Sequence, residues 1–208
     1  MRSSILKFFM GLSRFAIAAA FVVSVFPPPG FASSTRYGRI PDFKLVERSG
    51  APFTRSDLAG QVWIADFVFT RCQELCPLLS AKMAALQNEL ADSGVKLVSF
   101  SVDPEYDQPL ILKNYADRFG AKEGSWFFLT GERETMESLV TVGFHLGVAQ
   151  ATEEDLKEGV ELVMHSRRFV LVDREGDIRG YYDTSEPVQL DELRRDALEL
   201  AAGGPEWN

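Results

Sequence analysis

The sequence predicts an α/β sandwich, a central mixed β-sheet flanked by helices. Three observations predict it. Apolar runs with strand character alternate with segments of helical spacing from residue 43 to residue 144. Near the C-terminus a polar turn joins two further strands, and an amphipathic helix follows them. The only two cysteines, Cys72 and Cys76, sit four residues apart where a long apolar strand turns into a helix. Alternating strands and helices call for a sheet with helices packed on it.

In chain order, residues 1–32 read as a leader. Arg2, Lys7 and Arg14 precede an apolar run from Phe15 to Phe26, Pro27-Pro28-Pro29-Gly30 breaks it, and Gly30 and Ala32 suit cleavage after Ala32. That is the pattern of a secretory signal. The charge-free run is about 12 residues where a membrane span needs roughly 20, so a cleaved signal is favoured over an uncleaved anchor. Without a cysteine near position 30, lipoprotein processing is excluded. Either way the domain is exported to a periplasmic or other extracytoplasmic space, where disulfides persist. Residues 33–41 are expected to be a flexible linker, residues 42–202 one domain, and residues 203–208 a loose tail.

Within the domain, Phe43 to Glu47 is a short strand and Gly50-Ala51-Pro52 turns it toward Phe53-Thr54. Ser56 is expected to cap a helical turn through Leu58, ended by Gly60. Val62 to Phe69 is almost continuously apolar, as in a strand covered on both faces, and only Asp66 interrupts it. Pro77 can begin a helix, since its missing N–H is not needed there. Leu79, Met83, Leu86 and Leu90 give that helix an apolar face until Asp92-Ser93-Gly94 stops it. Val95 to Val102 is the next strand, Asp103 to Asp107 a loop, and Pro109 to Phe119 a helix ended by Gly120. Trp126 to Leu129 is a strand, and Glu132 to Phe144 a third helix. Ala151 to Gly159 is charged and reads as exposed. Arg168 to Val172 and Ile178 to Tyr182 form a hairpin through the turn at Gly176, and Pro187 to Ala201 is a last helix with Leu190, Leu193, Ala197 and Leu200 inward. A cysteine pair on the strand-to-helix turn, with a closing hairpin and helix, is the thioredoxin plan.

Composition narrows the function. The net charge is −8 and the pI about 4.9, against a nucleic-acid binder, which is usually basic. Two cysteines are too few for a disulfide scaffold or a four-cysteine zinc site. At a strand-to-helix junction, exposed N–H groups and the helix dipole favour thiolates. Cys72 and Cys76 can therefore hold a disulfide, a soft metal such as Cu(I), or each in turn. A purely structural disulfide is the plainer reading, but so small a ring stabilises little.

A third donor shields such a metal better, and the candidates are His145, His165 and nearby methionines such as Met164. From spacing alone, a surface helix cap suffices for His145, and Met164 beside a strand reads as core. Asp66 is either a satisfied polar residue of the strand or a buried acid that relays protons to the thiols. Asp103 and Asp107 either orient the cysteine turn or form a solvated loop. Thr70 two before Cys72 is similar to a peroxidase nucleophile motif, but no Pro-x-x-x-Thr accompanies it.

The stretch Asp66-Phe67-Val68-Phe69-Thr70-Arg71-Cys72-Gln73-Glu74-Leu75-Cys76-Pro77 resembles the signature of the Sco/SenC family. So do Leu97-Val98-Ser99-Phe100-Ser101-Val102-Asp103-Pro104-Glu105-Tyr106-Asp107, then Phe128-Leu129-Thr130-Gly131, and His165-Ser166 ahead of Phe169-Val170-Leu171-Val172-Asp173. The match spans residues 40 to 200. The resemblance implies a thioredoxin-like fold and copper, as Cu(I) or Cu(II), held by Cys72, Cys76 and His165. It implies a metallochaperone rather than an enzyme, with redox-gated binding through a Cys72–Cys76 disulfide. The expected partner is the copper-site subunit of cytochrome c oxidase or another copper acceptor, with a thioredoxin-like reductant as a second. The alternative is a thiol–disulfide oxidoreductase that reduces the acceptor's cysteines, or a redox sensor. Many members place Asp before the histidine, where this chain has Met164. Thioredoxins resemble the chain in carrying a buried acid six residues before their first cysteine, as Asp66 stands before Cys72, although theirs is a CxxC pair.

Overall fold

A computed structural model describes residues 35–146 and 167–203. Its seven strands form one mixed sheet in the order β2-β1-β5-β4-β3-β6-β7. The middle is parallel: β3 (Trp63–Val68) pairs with β4 (Lys96–Ser101), and β4 with β5 (Trp126–Thr130). The flanks are antiparallel: β1 (Lys44–Glu47) joins β5 and β2 (Pro52–Thr54), and β6 (Arg168–Val172) joins β3 and β7 (Ile178–Asp183). The expected α/β sandwich with a mixed sheet is borne out.

Every residue of β3 is buried, which explains its unbroken apolar run. Side chains alternate across it. Ile64 faces helices α1 (Leu75–Glu89), α2 (Pro109–Arg118) and α4 (Pro187–Ala201), through Leu79 and Met83, Leu112 and Tyr115, and Leu193 and Ala197. Trp63, Ala65 and Phe67 face the other layer, built from Ile40, Phe43, Met136, Val140 and Phe144. The parallel direction of β3, β4 and β5 brings the turns after them to one end of the sheet. Because β7 also runs parallel to β3, the start of α4 lies at that end too.

Four expectations are corrected. Residues 37–40 are not a flexible linker: Tyr37 N–H donates to the Ile178 carbonyl at 3.0 Å, Ile40 N–H to that of Gly176 at 2.9 Å, and Gly38 accepts from Ile178 at 2.8 Å. Ile40 is buried and Arg39 grips Asp177 through two bonds of 2.7 and 3.2 Å. The helical turn Arg55–Leu58 is led by Thr54, not Ser56; the Thr54 N–H and hydroxyl both donate to Asp57 at 2.7 Å. Helix α1 begins at Leu75, two residues before Pro77, which is still within the first turn where no N–H is required. The third helix is α-helical only over α3 (Arg133–Ser138) and widens to a π turn over Leu139–Gly143, closed by Phe144 N–H on Leu139 at 2.8 Å. That wider turn lets Leu139, Val140 and Phe144 all reach the core. The hairpin turn stands as expected, with Gly176 at φ +86° and Asp173 accepting the Glu175 and Asp177 N–H groups. Among the described residues, no helix is long and apolar enough to cross a membrane. The leader, the charged stretch Ala151 to Gly159, Met164, His165 and the tail from 204 lie outside the described residues.

Candidate metal and thiol site

Cys72 ends the loop that leaves β3. Its own N–H closes a turn on the Phe69 carbonyl at 3.2 Å, and its sulfur accepts the Cys76 N–H at 3.4 Å. The sulfur thus serves a donor that the first turn of α1 leaves free, which is why the helix starts ahead of Pro77. Both cysteines are free thiols, Cys72 partly exposed and Cys76 buried.

Their surroundings push them apart. Burial raises the Cys72 thiol, but N–H groups of Cys76, Glu74 and Leu75 and the Cys76 thiol outweigh it and hold its pKa below the ordinary value. Burial pushes the Cys76 thiol up to about 12; hydrogen bonding to Cys72 and the nearby charges of Cys72 and Asp66 add to it, while an N–H from Phe69 opposes it. Cys72 is the thiolate-prone, accessible sulfur, and Cys76 the protected one.

The loop Asp103 to Asp107 orients the cysteine turn. Asp107 accepts the Thr70 N–H at 3.1 Å, the Thr70 hydroxyl at 2.5 Å and the Ser101 hydroxyl at 2.7 Å. Asp103 takes the Arg71 guanidinium at 2.9 and 2.5 Å, and that guanidinium lies over the Tyr106 ring, 4.7 Å from its centre. The solvated-loop reading is therefore set aside: Asp103 and Asp107 are buried. Asp107→Ala leaves Thr70 and Ser101 without their acceptor, and a loss of about 3 kcal/mol in stability is expected by urea denaturation.

Asp66 is fully buried on the α1 side of β3. The Ser99 hydroxyl donates to it at 2.5 Å, and Trp126 Nε1 donates to Ser99 at 2.9 Å. Its second oxygen has no partner among the described residues. Burial raises its pKa to about 7, against the lowering effect of Ser99. Asp66 is thus not fully satisfied. Sequence reasoning placed it correctly, but missed Ser99, Trp126, Arg71 and Tyr106 as its and the loop's supports, because those contacts cross from neighbouring strands and loops.

His145 is exposed, has φ +51° and ends the π turn as a left-handed cap. Its ring lies against Gly38, where a Cβ would come within 2.4 Å of Nε2. Gly38 pairs with the start of β7, so His145 sits at the end of the sheet opposite Cys72. Strand β6, antiparallel to β3 with Val170 opposite Ala65, starts at the cysteine end. Among the described residues no three His, Cys, Asp or Glu side chains cluster to hold a metal.

The SCO1/SenC family model matches residues 32–197. The chain belongs to the SCO1/SenC family. It is 33% identical over 157 residues to the SCO1 protein homolog of Bacillus subtilis, covering 74% of this chain and 78% of that one. BsSco, described as a member of the Sco family of cytochrome c oxidase assembly proteins with a disulfide switch, superposes with a TM-score of 0.69 at 30% identity, covering 81% of this chain and 96% of that one. Arabidopsis thaliana ScoI with copper bound gives a TM-score of 0.62 at 25% identity, covering 80% and 99%. A Sco-type thioredoxin-like fold is thus established for this chain.

Proposed function

We propose that this Sco protein carries copper on Cys72, Cys76 and His165 and passes it to the copper-site subunit of cytochrome c oxidase, outside the cytoplasm. The observation that carries the reading is the thiol pair: a thiolate-prone, partly exposed Cys72 and a buried Cys76 in the first turn of α1, held by the Asp103 to Asp107 loop. Two sulfur donors suit soft Cu(I). His165 stands three residues before Arg168, and β6 begins at the cysteine end of the sheet. The copper-bound Arabidopsis relative and the oxidase-assembly role of BsSco support the same reading.

Copper is cargo in this reading. Each copper–donor bond to this chain that breaks is replaced by one to the acceptor, copper keeps its oxidation state, and protons leaving acceptor thiols pass to the released thiolates. Oxidation to a Cys72–Cys76 disulfide removes two donors at once. The test is a copper titration of the reduced and the oxidised chain. One copper on the reduced form and none on the oxidised form is the expected outcome, with affinity falling as pH drops because protons compete for the donors.

The unequal thiols also favour a second reading, thiol–disulfide exchange. Cys72 would attack and Cys76 resolve, with Asp66 as the buried acid beside them. Reduction of a mixed disulfide that survives His165→Ala unchanged, in a chain that fails to hold copper, would move the assignment to this second reading.

A further inference from the structure

Among the described residues, exposed large apolar side chains gather at the end of the sheet that carries Cys72. Seven large apolar side chains stand out as exposed among the described residues, and four of them, Leu78, Tyr106, Leu110 and Val188, lie at this end. Leu78 is in the first turn of α1, while Leu110 and Val188 each follow the proline that opens α2 and α4. The three helices lie side by side on one face. Ser80 of α1 bonds Tyr115 of α2 at 2.9 Å, and Glu89 of α1 meets Arg194 of α4 at 3.6 Å. Their N-termini therefore form a row, Leu110–Leu78–Val188, with the cysteine turn at its middle. Tyr106 extends it from the loop that grips Arg71.

A groove of about 540 Å³ opens on the other side of that loop. Among the described residues, Glu105, Glu132 and Glu134 line it together with one cation, Arg133, which Glu105 holds at 3.0 Å. The face is thus an apolar row around a reactive sulfur, with an acidic groove at one edge.

Resting on the copper-transfer reading, we propose that this face is the docking surface for the copper acceptor. That acceptor presents its metal ligands on an apolar surface with a lysine or arginine beside it. Ligand exchange requires an acceptor donor atom to come within bonding distance of a metal held by Cys72, so the acceptor must cover the ground around that sulfur. Apolar side chains grouped at such a place are the usual mark of a protein contact. The groove takes the cationic side chain, and among the described residues the other exposed large apolar side chains, Tyr37, Val142 and Leu198, stand away from the two cysteines.

The test uses the full chain and the reduced, metal-free copper-site domain of cytochrome c oxidase as probe. Leu78→Ser, Leu110→Ser and Val188→Ser are combined in one variant; all three side chains are more than half exposed, so folding is retained. Copper affinity and transfer to a small chelator are expected to match wild type. Transfer to the domain is expected to slow at least tenfold at low acceptor concentration and to recover at high concentration, a KM effect. Glu132→Gln with Glu134→Gln is expected to weaken the salt dependence of transfer. Wild-type rates in the apolar variant overturn the proposal. Calorimetric binding of the metal-free chain to the same domain needs no copper. Equal binding by wild type and variant, or none by wild type, overturns the docking surface even where the copper reading stands. Failure of wild type to hold copper instead overturns that reading alone.

Discussion

Cys72→Ser and Cys76→Ser are each expected to weaken copper binding by more than 100-fold while leaving the fold intact. Loss of an outer support alone typically costs 10–100-fold in metal affinity, and these changes remove a thiolate itself. The two variants differ in other ways. Cys72→Ser also removes the sulfur that accepts the Cys76 N–H at 3.4 Å, but a serine hydroxyl is a good acceptor at a helix start, so α1 keeps its first turn. Cys76→Ser puts a hydroxyl where burial held a protonated thiol, so a larger loss of stability is expected there. Alkylation rates complete the picture: in wild type, iodoacetamide is expected to modify Cys72 first, with Cys76 protected by burial and by its raised pKa. Preferential labelling of Cys76 would reverse the assignment of attacking and protected sulfur.

Asp66→Asn is expected to change how stability depends on pH. In the fold the Asp66 proton is retained up to about pH 7, against an ordinary value of 3.8. The neutral carboxyl thus stabilises the fold fully below about pH 4, and that contribution is lost as pH rises through 7. Across this window each pH unit removes up to about 1.4 kcal/mol, in total on the order of 4 kcal/mol. Asparagine keeps the oxygen that accepts from Ser99 and does not ionise. Reduced wild type is therefore expected to lose stability between pH 4 and 8 relative to Asp66→Asn, with the variant the more stable at pH 8. Parallel stability curves by denaturant titration would show that Asp66 ionises freely in the fold.

The fold was legible wherever a residue's role is local. The apolar run of β3, the proline that opens α2, the polar turn at Gly176 and the spacing of Leu193 and Ala197 each name an element without reference to distant chain. What escaped depends on partners far away in sequence. Residues 37–40 look like linker until Ile178 and Asp177, about 140 residues on, pair with them. The start of α1 was set by a sulfur accepting an N–H, which no cap preference anticipates. The π turn answers to the core beneath it. In the site, the cysteine pair and Asp66 were visible as residue types in the wrong or unusual place. Asp103 and Asp107 were visible only as alternatives, because their grip on Arg71 and Thr70 joins two loops that follow different strands. His165 entered through its resemblance to the family's histidine, since one histidine beside a strand carries little information by itself.

The central claim, a copper site made of Cys72, Cys76 and His165, is tested most directly by competition titration of the reduced chain with Cu(I) against a chromogenic chelator, beside His165→Ala. One tightly held copper in wild type, with affinity at least tenfold lower in His165→Ala, is the predicted result. Equal affinities in the two proteins, or no tight copper in wild type, would contradict it and leave the Cys72–Cys76 couple as a thiol reductant.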